Sequence, residues 1–417
     1  MRFFLSGPLF AFLAGLLLLI EGASLFASRW LPATLAATHL LTIGFMLQVM
    51  FGALIQVLPV VAGAHLARPR ATAVVVHGGL NSGALLLAAG FYFAQPQLLE
   101  GAALLLGLAV LVFLVEAGRA LLKVPSTSPT IRGLKLALGG LFAVVALGIL
   151  MALGLAGGWP LPWPVLADLH AGWGLGGWAG VLLAAMAYVV VPMFQLTPGY
   201  PARPGWWFPV VVSVLLLGWS VAVLAGLPLL GRLCQALIAV AGLAFAGLTW
   251  RLQGKRRRAR ADATYRYWQL GLGASLLALA MLLVAAIFPP VAELPGWPLF
   301  FGILLIAGGY LSFIIGMLYK IIPFLAWMHL QNQGQMRVAA PNMNRILADG
   351  AMLRQMHAYA LALVLLLAAV FWPVWLARPA GLALMLASGW LAFNLVGAVR
   401  RYYRHSADIR EKLAALA

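Results

Sequence analysis

The chain has 417 residues, of which 64% are hydrophobic and only 9% charged, and its mean hydropathy is +1.01. Soluble domains carry about 25% charged residues, so this composition excludes a water-soluble globule. The 27 Lys and Arg against 9 Asp and Glu give a net charge of +18. In a chain this apolar, the basic excess indicates cytoplasmic ends of membrane helices rather than nucleic-acid binding.

Twelve apolar runs follow one another along the chain, each long enough for a membrane crossing of about 20 residues. They cover residues 5–27, 36–58, 72–94, 102–122, 134–157, 170–194, 207–227, 230–250, 268–288, 299–322, 357–377 and 380–399. Twelve crossings leave only about 14 residues for each loop or tail, so no extramembrane domain fits. The sequence therefore predicts an all-α polytopic membrane protein with twelve transmembrane helices, helix 1 to helix 12, embedded in a lipid bilayer.

The basic residues predict the orientation of these helices. With the N-terminus in the cytoplasm, only Arg29, Arg232 and Arg378 of the 27 basic residues fall on the outer side. Both termini are therefore expected to be cytoplasmic. The basic run at 255–260, which includes Arg258, is interpreted as a topogenic or lipid-headgroup segment, and no nucleic acid is expected as a partner.

An internal repeat is the strongest pattern in the sequence. Pro59, Pro192 and Pro323 lie near the ends of runs 2, 6 and 10 and are 133 and 131 residues apart. When the runs are aligned on these prolines, small residues coincide at positions −15 and −7, namely Gly44, Gly177 and Gly308, then Gly52, Ala185 and Gly316. The period predicts three units of four helices around a pseudo-threefold axis normal to the membrane: 1–132, 133–266, and 267–417 with a basic cytoplasmic tail. The alternative is that Gly and Pro only mark close helix packing.

Two segments carry a resemblance to a known family. HLLTIGFMLQVMFGALIQVLPVVAG at 39–63 and LHAGWGLGGWAGVLLAAMAYVVVPM at 169–193 resemble the histidine-headed second and sixth helices of heme-copper oxidase subunit I. They are more similar still to its smaller NnrS-type relatives, in which a His-x-Leu-Thr-x-Gly run opens a helix. The resemblance implies the twelve-helix threefold fold and a place in the bacterial inner (cytoplasmic) membrane.

The resemblance also implies ligands. The oxidases carry an axial heme ligand on helix 2, one copper-ligating His on helix 6, two more on helix 7 and two heme ligands on helix 10. Here His39 matches the helix 2 position and His170 the helix 6 position, whereas helices 7 and 10 contain no histidine. Oxygen reduction is therefore not expected, and the sequence leaves open whether the chain is an enzyme at all. The implied cofactors are heme b and, as an alternative or in addition, copper.

Carboxylates near the outer ends of helices 1 and 6 could complete such a site. Glu21 lies near the end of helix 1 and Asp168 stands two residues before His170. Because a carboxylate can orient a ligating imidazole, Glu21 with His39 or Asp168 with His170 is a sensible pair. The alternatives are that each His is an interfacial residue bonded to a backbone carbonyl, and that Asp168 caps helix 6.

Four further histidines are expected near the cytoplasmic face, at the ends of helices 2, 3, 10 and 11. They are His65, His77, His329 and His357. Four imidazoles at one depth could bind a metal ion or heme. Because His65 and His329 occupy the same repeat position, a duplicated structural residue is the competing interpretation.

Three functions are compatible with these patterns. The first is a non-oxidase, NnrS-like heme- or copper-binding protein, which the resemblance links to nitric-oxide stress or respiratory metabolism and to respiratory membrane proteins as partners. The second is a transporter or a permease that handles heme or metal. The third is a cofactor-free scaffold for the assembly of respiratory enzymes.

Overall fold

The computed structural model describes residues 1–257 and 260–415, and within these ranges the chain consists of helices, turns and short loops without any strand. Within the described ranges, twelve helices are long and apolar enough to cross a membrane. They span Arg2–Phe26, Pro32–Ala62, Pro69–Tyr92, Pro96–Leu122, Pro129–Ala156, Trp163–Gln195, Ala202–Leu224, Pro228–Gly254, Ala263–Ile287, Trp297–Gln333, Asp349–Ala369 and Pro373–Ala415. The all-α fold with twelve transmembrane helices is confirmed, one helix for each apolar run. Arg258 of the basic run lies outside the described residues.

The helices begin earlier than the apolar runs because proline starts several of them. A proline at the first helical position has no N–H to leave unsatisfied, and its fixed φ suits the first turn. Helix 2 begins at Pro32 and helix 6 at Trp163, each seven residues before a histidine. The expectation that His39 and His170 open their helices is therefore wrong. Asp168 lies inside helix 6 and does not cap it.

Helices 10 and 12 extend well beyond their predicted ends. An even number of crossings places both chain ends on one side of the membrane, which we call the terminal side. Helix 10 continues on that side to Gln333, and helix 12 runs for 43 residues to Ala415. The basic tail is therefore a helical continuation of helix 12. Helix 11 is shifted toward the N-terminus, to Asp349–Ala369, because Pro373 already starts the next helix.

Nine of the twelve described helices form a closed ring around helices 2, 6 and 10. Helices that follow one another in the chain pack together, and helix 12 packs against helix 1. At this closing contact the backbones touch, since a Cβ on Gly15 would lie 2.9 Å from the carbonyl oxygen of Gly381. Small residues permit such close approach between membrane helices.

Helices 2, 6 and 10 meet in the middle of the ring. The rings of Phe51 on helix 2 and Trp178 on helix 6 have centroids 5.9 Å apart. The Tyr310 hydroxyl on helix 10 donates a hydrogen bond to the Leu175 carbonyl on helix 6. Helices 2 and 10 touch through their central turns. The second helix of each predicted unit thus faces the other two.

Each of these three central helices contains one π-helical segment of eight residues. The segments are Leu40–Leu47, Trp173–Gly180 and Leu304–Leu311. Each begins nineteen residues before the proline of its unit and has the −15 glycine as its fifth residue. Short π segments are rare and mark places where a helix accommodates an extra residue. Their recurrence at one register is what the predicted threefold repeat would produce.

The packing of the first helix of each unit on the second helix explains the π segments. The −15 glycine of each second helix faces one residue of the first helix, and a Cβ added to a glycine of this pair would come within 3.0 Å of the other helix. The pairs are Gly44–Phe10, Gly177–Gly140 and Gly308–Ala274. The −7 position makes a second such contact, in the pairs Gly52–Phe3, Ala185–Gly133 and Gly316–Tyr267. The two contacts are seven residues apart on the first helix but eight apart on the second. The wider π turn absorbs the additional residue, so both contacts stay aligned.

Candidate functional site

His39 and His170 lie next to each other where helices 2 and 6 pass into their π segments. The imidazole centroids are 6.2 Å apart and the ring planes are inclined by 31°. Both side chains are half-buried. The structure therefore brings together the two residues that the resemblance singles out, one from each of two different units.

The hydrogen bonds of the two imidazoles fix which nitrogen carries the proton. The Nδ1 atom of His39 lies 2.8 Å from the Leu35 carbonyl oxygen, and that of His170 lies 2.9 Å from the Val144 carbonyl oxygen. A carbonyl oxygen only accepts, so Nδ1 donates in both rings and Nε2 keeps its lone pair. Within the described residues no hydrogen bond reaches either Nε2 atom. The alternative of a histidine bonded to a backbone carbonyl is thus realised through Nδ1 in both residues. The Nε2 atoms remain available as ligand atoms.

Local features of helices 3 and 5 shape the surroundings of the pair. A Cβ on Gly148 of helix 5 would lie 3.0 Å from Cε1 of His170. Because glycine has no side chain, the imidazole can pack directly against the backbone of helix 5. The Phe91 ring of helix 3 stands 5.2 Å from the His39 ring, centroid to centroid. An aromatic wall on one side and a helix backbone on the other restrict the positions that the two rings can take.

Glu21 does not orient His39. Its carboxylate accepts hydrogen bonds from the Tyr92 hydroxyl at 2.7 Å and from the Ser24 hydroxyl at 3.2 Å. The structure forms neither the Glu21–His39 pair nor the Asp168–His170 pair, because backbone carbonyls take the Nδ1 protons. Glu21 instead ties the end of helix 1 to the end of helix 3.

Asp168 forms an ion pair with Arg29 from the loop between helices 1 and 2. The Arg29 Nη1 atom lies 2.8 Å from the Asp168 Oδ1 atom, and both side chains are more than a third exposed. Such a pair contributes less than about 1 kcal/mol to stability. Its effect is positional, since it ties the start of helix 2 to the turn of helix 6 that carries His170.

The structure does not bring the four histidines of the terminal side together. His77 contacts the Ser6 hydroxyl at 3.1 Å, and Nδ1 of His329 contacts the Tyr402 hydroxyl at 2.7 Å. His65 is exposed in the loop after helix 2, and His357 is exposed inside helix 11 rather than at its start. In the described ranges, no three His, Cys, Asp or Glu side chains converge as metal ligands would. The expected inner metal site gains no support from this arrangement.

A buried polar network that the sequence did not reveal connects the four helices of the third unit. Oε1 of Gln355 accepts hydrogen bonds from Tyr267 at 2.6 Å and Tyr319 at 3.0 Å, and Nε2 donates to the Ala387 carbonyl at 3.0 Å. Nδ2 of Asn394 donates to the Tyr319 hydroxyl at 2.9 Å. The only signal in the sequence was Asn394 inside the apolar run 380–399, since Gln355 lies two residues before the run 357–377.

A second polar contact lies close to this network. Nζ of Lys320 on helix 10 is 2.9 Å from Oδ2 of Asp262, and both side chains are largely buried. The other oxygen of Asp262 accepts from the Tyr265 N–H and caps helix 9. This pair fixes the terminal-side end of helix 9 to helix 10.

Neither the comparison with protein-family models nor the search of curated proteins gives a match for this chain.

Proposed function

We propose that this chain is a non-oxidase relative of heme-copper oxidase subunit I, of the NnrS type, and that it binds a heme iron or a copper ion through His39 and His170. One observation carries the proposal: two imidazoles from different units meet, and in both the Nε2 lone pair is free. By the resemblance of its second and sixth helices, the function belongs to nitric-oxide stress or respiratory metabolism.

The donor set suits such a centre. His39 and His170, whose ring centroids are 6.2 Å apart, would hold the metal through their Nε2 atoms. Neutral imidazole is a good ligand for iron and copper. When bound, a heme or copper centre supplies one-electron redox chemistry.

The protein's own contribution is to prepare the ligands. The carbonyl oxygens of Leu35 and Val144 hold both rings in the tautomer that presents Nε2, as second partners of metal-bound histidines do. The Arg29–Asp168 pair ties the loop before helix 2 to the turn of helix 6 that carries His170. A metal centre placed here would join the first unit to the second.

The proposal predicts which residues a bound metal depends on. The protein, purified in detergent after growth with heme and copper, is expected to show a Soret band or to contain copper by elemental analysis. His39→Ala and His170→Ala should each reduce metal content or affinity by more than about tenfold, because each removes a ligand. The matched control is His357→Ala, which changes an exposed histidine of helix 11 and should leave the metal in place.

The same experiment separates the proposal from the two other functions. A colourless and metal-free wild-type protein would overturn it and favour the cofactor-free scaffold. Metal that survives both histidine substitutions would place the binding elsewhere and favour a permease that carries heme or metal as its cargo.

A further inference from the structure

The surface of helix 12 changes from apolar to basic along one face. Leu382, Leu386 and Phe393 are exposed on the ring's outer surface, with 74% of Phe393 accessible. Further along the same helix, Arg400 and Arg404 are exposed as well. Residues 393, 397, 400 and 404 follow one another at intervals of three or four, so they share one helix face.

A shallow, open surface cavity of about 420 Å³, lined by residues of helix 12, lies at this transition. Its membrane-facing part is lined by Phe393, Val396 and Gly397, and its terminal-side part by Arg400, Arg401 and Arg404. The guanidinium of Arg401 lies across Gly397, where a Cβ would be 3.4 Å from Nη2. Its Nε donates to the carbonyl of Ile346, at the end of the short helix Met343–Ile346 that precedes helix 11. One of the three guanidinium groups is thus fixed in place by the backbone.

The positive charge of the cavity is not compensated by the protein. In the part of the chain that the structure describes, no carboxylate lies within salt-bridge distance of the three arginines. The nearest acidic residue in sequence, Asp408, lies 3.7 Å from His405 instead. Guanidinium groups bind phosphate oxygens strongly and in fixed geometry, so the cavity is suited to an anionic group.

We propose that this cavity binds an anionic phospholipid, with the phosphate at Arg400, Arg401 and Arg404 and an acyl chain along Phe393 and Leu386. The combination of an apolar strip with a basic end matches a phospholipid, whereas a soluble anion needs only the basic end. Basic pockets at the membrane surface bind acidic headgroups in this way. The inference is independent of the metal centre at His39 and His170.

The test compares two lipids and two double variants of the full chain. Detergent-purified protein is titrated with phosphatidylglycerol or phosphatidylcholine, and bound lipid is counted by native mass spectrometry. The wild type should retain phosphatidylglycerol preferentially. Arg400→Gln with Arg404→Gln should weaken that binding on the order of tenfold or more. Arg410→Gln with Lys412→Gln removes the same charge from the same helix, outside the cavity, and should leave the binding unchanged.

Three results would overturn the proposal. They are equal retention of the two lipids by the wild type, equal losses in the two double variants, and displacement of the lipid by inorganic phosphate at moderate concentration. The second would mean that net charge alone attracts the lipid, and the third that the cavity is a site for a free anion. Gel filtration and circular dichroism of both double variants check that they are folded.

Discussion

Gly140→Ala is expected to lower the stability of the detergent-solubilised protein by about 1–3 kcal/mol, the usual cost of overpacking a tight contact. A Cβ at position 140 would lie within 3.0 Å of the backbone of Gly177 in helix 6. Backbone atoms cannot rotate out of the way as a side chain can. Helix 5 would have to move away from the π segment of helix 6, and the loss should appear as a lower thermal unfolding midpoint.

The neighbouring glycine provides the matched control for this substitution. Gly139 is exposed, and a Cβ there would meet no atom within 4 Å. Because Ala is the better helix former by about 1 kcal/mol, Gly139→Ala should be neutral or slightly stabilising. Equal midpoints for the two variants would show that the contact between helices 5 and 6 does not constrain the fold as the structure indicates.

The same contact shows how far the sequence predicts this fold. The glycines at −15 and the small residues at −7 could be aligned on three prolines, and they do mark the close contacts between the first and second helices of each unit. The π segments could not be predicted, because they follow from a mismatch of seven against eight residues between two packed helices. That mismatch is visible only once both helices are in register.

The candidate site was predictable only in part. His39 and His170 were identified through the resemblance of their two segments, yet the repeat does not align them. His39 lies twenty residues before Pro59, whereas His170 lies twenty-two before Pro192. Their rings meet because one bonds to its own helix at Leu35 and the other crosses to helix 5 at Val144. A hydrogen bond to a backbone carbonyl cannot be predicted from the pattern of side chains in the sequence.

The polar network of the third unit was not predicted for a related reason. Its members come from four different helices, and Tyr267 and Gln355 stand just before the predicted apolar runs 268–288 and 357–377. An amide in the interior of a membrane protein has a partner only when the fold supplies one. Gln355 is completely buried and bonds to residues 88, 36 and 32 positions away.

Gln355→Met is expected to destabilise the third unit by about 2–4 kcal/mol. Methionine has nearly the shape of glutamine, so packing is preserved while three hydrogen bonds disappear. The hydroxyl hydrogens of Tyr267 and Tyr319 then lose their acceptor, and the carbonyl of Ala387 loses its side-chain donor. The measurement is thermal unfolding in detergent, together with hydrogen exchange of helices 9 to 12, where protection should fall most.

Tyr267→Phe is the graded control for this prediction. It removes one hydrogen bond, and Gln355 still accepts from Tyr319 and donates to Ala387, so the loss should stay below about 1 kcal/mol. If the two variants lost the same small amount of stability, Gln355 would not be the centre of the network. A loss confined to the third unit is expected because Gln355 occupies one of its four helices and bonds directly to residues on the other three: Tyr267, Tyr319 and Ala387.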